Sequence, residues 1–428
     1  MREDLLYFIW RNNKLQTKNL LTTDNQTLKI QGVGILNRLS GPDFFNAKIY
    51  IENQLWAGNV EMHVKSSDWY THHHETDSNY DNVILHVVWE DDVVVYRKDG
   101  SKIPTLELKN LIPEELLVSY RTLMDTSKIK FINCERSIAT IAPIIWKSWE
   151  ERLYFERLEQ KSKQIGALLQ KSNNNWEAVL FSLLCKSFGT KINGSFLLNR
   201  ALKLDFSIVR KTSANLIQLE SLLFGHFGLL EVEDCMDRYY LELKKEYGYL
   251  TQKFELEVPE EKPAFFGMRP INFPTLRISQ LANLYHNNTN IFQALMAIEC
   301  LEDYYKMFQV FTSPYWQDHF TFGKCSKKSK KQLSKAFIDL LLINTVIPLK
   351  FSYAQSMGNQ WNEELVDLIS KIKSESNTIV EGFNNLKVQS ENALESQSKI
   401  QLYTAYCSQK KCLHCAVGVN LLNRNVYF

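Results

Sequence analysis

Gly58-Asn59-Val60-Glu61-Met62-His63-Val64-Lys65 alternates apolar and polar side chains. A period of two belongs to a strand, with Val60, Met62 and Val64 on one face and Glu61, His63 and Lys65 on the other. A strand with one apolar face needs neighbours, and the surrounding chain supplies them. Residues 27–36, 47–51, 82–89 and 93–96 are β-branched or aromatic runs. Between them lie the turn formers Ser40-Gly41-Pro42-Asp43, Glu52-Asn53-Gln54, Glu90-Asp91-Asp92 and Lys98-Asp99-Gly100-Ser101. Residues 3–10 read as a helix preceding these strands. After about Pro113 the period becomes helical. Pro113-Glu114-Glu115 opens a helix, with Pro in its first turn and acids near the positive end of its dipole. Helical patterns then cover 144–169, 176–188, 196–204, 214–224, 234–247, 277–285, 291–308, 331–346, 362–373 and 392–406. The expected fold class is α+β: a mixed β-sheet domain over 1–130, followed by a larger all-α domain over 131–428.

Composition bounds the function without naming it. The 428 residues contain 50 Lys plus Arg against 48 Asp plus Glu, a net charge of +2. Such a balance makes no global case for nucleic acid or membrane, so any basic surface must be local. With 16 Gly and 10 Pro the chain is neither collagen-like nor linker-dominated. The opening is charged from Arg2 onward, and the apolar run 5–10 is shorter than a signal-peptide core. The apolar stretch 337–349 carries Asp339, Asn344 and Pro348 and reads as a buried helix. A cytoplasmic location with no membrane partner is expected. Thiols stay reduced there, so the eight Cys are core residues, metal ligands or redox groups.

His63, His72, His73, His74 and His86 make up five of the nine His, and they fall within one short window. Asp43, Glu61, Asp68, Asp77 and Asp81 accompany them. Imidazoles and carboxylates together suit a metal such as Mn, Zn or Fe better than Mg alone, or acid–base chemistry near neutral pH. The candidate ligands are Asp43, Glu61, His72, His74 and His86. The order of a helix and three strands, with Pro42-Asp43 before the second and Glu61-x-His63-x-Lys65 on the third, resembles the PD-(D/E)xK nuclease superfamily. That resemblance implies a restriction-endonuclease-like sheet and a divalent metal, Mg or Mn, held by Asp43 and Glu61. His63 stands where the family has its Lys, and Lys65 could reach back to replace it. The polar segment 66–82 stands where a crossover helix is expected.

Cys407-x4-Cys412-x2-Cys415 is a thiol array able to chelate zinc or an iron–sulfur cluster. Cys325, His319 and Cys134 are candidate fourth ligands, and a clip onto the Cys325 segment is expected. Cys412-x2-Cys415 could instead be a redox dithiol. Lys324, Lys327, Lys328, Lys330 and Lys331 form a local basic patch suited to phosphate backbones, and Arg269 and Arg277 flank a Pro-rich turn suited to an anion. There is no Walker A, G-x-G-x-x-G or H-E-x-x-H motif.

Gly41-Pro42-Asp43-Phe44, Gly58 to His63, Asp68-Trp69, Tyr80 and Leu85-His86-Val87-Val88 form one part of a larger pattern. Trp149 with Glu156-Arg157-Leu158, Arg269-Pro270 with Asn272-Phe273-Pro274-Thr275, Tyr315-Trp316 and the Cys tail form the rest. With these the chain resembles, nearly end to end, the bacterial domain of unknown function 2851 family, a resemblance that implies no activity. Three readings follow from the residues: a metal-dependent phosphodiesterase acting on nucleic acid, a non-catalytic nucleic-acid- or protein-binding scaffold with a structural metal, or a thiol redox protein using Cys412 and Cys415.

Overall fold

The computed structural model describes residues 2–15, 19–125, 127, 129–359 and 363–424. The chain divides into two compact units. The first holds Met1–Trp149, Leu386–Val388 and Leu402–Phe428; the second holds Glu150–Asn385 and Gln389–Gln401.

In the first unit, α1 (Glu3–Arg11) precedes a sheet of β1 (Leu20–Leu21), β2 (Thr27–Gly32), β3 (Ile35–Leu36), β4 (Phe44–Ile51), β5 (Gln54–Lys65), β6 (Val83–Glu90) and β7 (Thr105–Glu107). Strand order is β1-β2-β4-β5-β6-β7, with β3 also on β4. The β4–β5 hairpin turns through Glu52 and Asn53, where Glu52 adopts φ 52°. From β5 the sheet changes character, because β6 and β7 run parallel to it and to each other. The β5–β6 connection carries the short helix α2 (Asp68–Thr71) and a 3-10 turn at Ser78–Tyr80.

The alternation of β5 is realised in the packing. Val60 and Met62 join Leu5, Leu6 and Ile9 of α1, together with Ile49, Leu85 and Val87, in one buried cluster. A smaller cluster of Trp69, Tyr80, Val83, Val95 and Ile103 builds up around the crossover segment. Residues 93–96 do not extend the sheet. Asp92 turns back to accept from the Ser66 and Ser67 hydroxyls, and only Tyr96 makes a bridge, to Lys102.

The first unit also contains the chain's last helix, Ala416–Asn423, which follows α3 (Glu114–Met124) in space rather than in sequence. Cys412, Leu413 and Leu422 enter the same core as α1. Their burial against that core assigns the Cys array to the sheet-bearing unit, whereas the sequence reading grouped it with the helices over 131–428.

The second unit is helical, apart from a ribbon of His319–Thr321 and Lys324–Cys325. The segment Lys335–Ser356 is long and apolar enough to cross a membrane by length and composition, yet 67% of its apolar window is buried inside the protein. It is a core helix with a π-turn at Leu342–Val346, as its Asp, Asn and Pro suggest. The expected helix over 291–308 is two, Ile291–Ala297 and Leu301–Met307.

Candidate metal centre

Sheet register sets the first pair of groups side by side. Glu61 of β5 pairs with His86 of the parallel strand β6, and His63 follows two residues later on the same face. All three are buried. Asp43, just before β4, meets this face at its edge. Its Oδ2 accepts from the Met62 amide at 3.0 Å, and its own amide donates to Glu61 Oε2 at 3.0 Å. Tyr7 of α1 donates its hydroxyl to Asp43 Oδ1 at 2.8 Å.

The crossover segment then folds two more imidazoles over the site. His63 Nε2 lies 3.1 Å from His72 Nδ1, and His74 Nε2 lies 3.3 Å from Glu61 Oε1. Glu61 Oε1 is also 3.6 Å from His63 Nε2. The ring of His74 stacks on Tyr80 at 3.7 Å between centroids and meets Trp69 edge-on at 5.3 Å. Behind His63, its Nδ1 is 2.9 Å from His86 Nε2. Two imidazole nitrogens in contact need a proton between them, or a cation in its place.

Electrostatics keep His63 and His86 neutral and make Asp43 and Glu61 reluctant to ionise. Burial, aided by the neighbouring His86, His74 and His72, holds His63 down to about 2, and burial holds His86 down to about 3. Asp43 is pushed up to about 7 by burial and then by the adjacent Glu61 charge. Burial pushes Glu61 up to about 8. Neutral imidazoles are the form that binds metal.

Among the described residues, His63, His72 and His74 are the group whose ligand atoms all lie within 4.8 Å of one another. Tetrahedral coordination with bonds of about 2.0–2.1 Å sets donors about 3.3 Å apart. The 3.1 Å between His63 and His72 matches that spacing, as does the 3.3 Å between His74 and Glu61. The donor set fits a borderline-soft divalent ion better than Mg.

The other predicted site residues fall elsewhere. His86 is one ring behind the centre, its Nε2 engaged by His63, so it supports rather than faces an ion. Lys65, exposed at the end of β5, pairs with Asp92 at 3.9 Å and does not reach back to Glu61. Two of the expected phosphate-binding cations are corrected. Lys331 is 1% exposed, donating to the His319 carbonyl at 2.7 Å above the Phe320 ring. Arg277 is 4% exposed, bound to Gln280 and Asn272 and stacked 3.6 Å over Phe337. Lys324, Lys327, Lys328, Lys330 and Arg269 are exposed. Cys325 Sγ faces His319 Nε2 at 3.4 Å within the second unit, whereas Cys407, Cys412 and Cys415 belong to the first.

The sequence reading missed Tyr7, whose hydroxyl orients Asp43. Its one signal was a polar-tipped side chain inside the apolar run 5–10. It also missed Glu220 in the second unit, a buried carboxyl accepting from Ser279, Ser313 and Tyr239.

A family model described as "Protein of unknown function (DUF2851)" matches residues 3–378. The chain belongs to this family. The DUF2851 match takes in the whole histidine centre and stops short of the Cys407–Cys415 array. No curated protein and no solved structure matches the chain.

Proposed function

We propose that the first unit is a metal-dependent phosphodiesterase acting on nucleic acid. The observation that carries this reading is the convergence of His63, His72 and His74 beside the buried Glu61 and the half-buried Asp43. Strand order supports the choice of chemistry. A helix, antiparallel strands bearing Pro42-Asp43 and Glu61-x-His63, and a parallel return strand follow the arrangement that the nuclease resemblance implies.

In this reading the three imidazoles hold a Mn, Zn or Fe ion, with Glu61 at its flank. A bound ion of this kind supplies Lewis acidity to a phosphoryl group. Asp43, partly neutral near pH 7, holds or releases a proton at an approaching water, and Tyr7 fixes its Oδ1. Trp69 and Tyr80 shield His74 from solvent on one side.

The test is cleavage of single- and double-stranded DNA and RNA by the purified chain with Mn or Zn added. Asp43→Asn and Glu61→Gln should each lower the rate about 100-fold or more. No metal-dependent cleavage of any form, or full activity in Asp43→Asn, would overturn the reading. Binding without cleavage would favour a scaffold.

A further inference from the structure

We propose that Cys134, Cys407, Cys412 and Cys415 form a second metal site, one that takes an iron–sulfur cluster. The inference is independent of the histidine centre and of the activity proposed for it.

Four thiols from two distant stretches of chain lie in the first unit. Cys412 and Cys415 are buried, Cys134 and Cys407 half-buried. Cys412 belongs to the core around α1, and Cys134 packs against that same core. Cys407 closes the π-turn Tyr403–Cys407, and a hydrogen bond from the Lys411 amide to the Tyr406 carbonyl folds the chain back before Cys412. Cys412 and Cys415 bracket one 3-10 turn, closed by the Cys415 amide on the Cys412 carbonyl at 3.3 Å. That turn is packed tightly. A Cβ at Gly418 would lie 2.1 Å from the Cys412 carbonyl oxygen, so only glycine lets the last helix approach it.

The sulfurs sense one another. Burial raises the thiol of Cys134, and the Cys415 and Cys412 thiolates raise it further. Cys407 is raised by burial and then by Cys415, Cys134 and Cys412. Cys415 receives the Val417 and Gly418 amides. N–H groups aimed at sulfur stabilise a ligated thiolate and tune a cluster's potential.

Donor type and spacing decide between metals. All four donors are soft thiolates, which select zinc or iron–sulfur. A single zinc with bonds of about 2.3 Å needs its sulfurs about 3.8 Å apart. The imidazole trio meets a 4.8 Å limit among the described residues, and no three of these thiols do. A multi-iron cluster, held by four Cys, spreads its ligands more widely. Cys134 lines a surface pocket of roughly 750 Å³, bordered by Arg121, Arg136 and Arg424 and by Asp125 and Glu135.

The experiment is anaerobic purification of the full chain, followed by reconstitution with ferrous iron and sulfide. Expected are iron and acid-labile sulfide in equal amounts, visible absorption from sulfur-to-iron charge transfer, and loss of both in Cys134→Ser and Cys412→Ser. Cys300→Ser, at an exposed thiol, should keep them. Cys134→Ser retaining full iron would remove the fourth ligand from the proposal. One zinc per chain without sulfide in the wild-type protein, or no bound metal at all, would overturn it even if every variant misfolds.

Discussion

His63 engages other imidazoles through both ring nitrogens, an arrangement a surface His has no reason to adopt. His86 holds it from behind, so the His86 ring sets the direction in which His63 Nε2 points. Removing such a supporting partner typically lowers metal affinity 10–100-fold. His86→Ala should therefore weaken Zn or Mn binding by about 10–100-fold, read by competition with a chromophoric chelator, and His63→Ala should abolish it. Equal affinity in His86→Ala and wild type would reduce His86 to a filler. Gly58 makes a separate prediction. A Cβ there would sit 2.4 Å from Ile84 Cγ2 and 2.7 Å from the Asn82 carbonyl oxygen, where β5 meets the entry to β6. Gly58→Ala should cost about 1–3 kcal/mol in urea unfolding. At this scale the sequence was informative where neighbours along one strand or one short segment form the site. Glu61 and His63 share a strand face, and His72 and His74 come from a crossover only a few residues later. Tyr7 was hidden because its partner Asp43 lies in another element. Lys331 and Arg277 misled because a cation's burial depends on tertiary partners that local charge patterns do not contain.

Helix Leu216–His226 ends on a buried imidazole with a pH consequence. His226 Nε2 donates to the Arg200 carbonyl at 2.7 Å, and Arg200 donates back to the His226 carbonyl at 3.0 Å. Burial, together with the Arg200 charge, holds His226 down to about 4 from its ordinary 6.5. Between those values the unfolded chain binds the proton and the folded chain does not. The contribution is therefore fully present above pH 6.5 and is lost as pH falls towards 4. At about 1.4 kcal/mol per unit, the difference in unfolding free energy between wild type and His226→Asn should shrink by roughly 3 kcal/mol from pH 7 to pH 4. A pH-independent difference in denaturant melts would exclude this account. Element type was readable where period and length agreed, as in helix Trp176–Phe188, which matches its expectation residue for residue. It failed where polar anchoring outweighed propensity. Residues 93–96 have strand chemistry, but Asp92 binds Ser66 and Ser67 and pulls the chain out of the ladder.

At the scale of the molecule, the division into units could not be read from local pattern, because it depends on where residues 402–424 pack. Leu413 and Leu422 complete the core around α1, about four hundred residues away in sequence. Removing residues 402–424 should therefore leave the helical unit cooperative and unfold the sheet-bearing one. Two separate calorimetric transitions in the full chain, with only the unit-one transition lost on truncation, is the expected result. Loss of both, or of neither, would contradict it. The return of the chain to its first unit also sets a schedule for biosynthesis. A ribosome adding about 5–20 residues per second needs on the order of 10–50 s to pass from residue 149 to residue 402. Throughout that interval the α1 core lacks its last apolar wall, while the residues of the helical unit are being added. The nascent sheet therefore waits with part of its apolar surface uncovered until Leu413 and Leu422 are added and can close the core around α1.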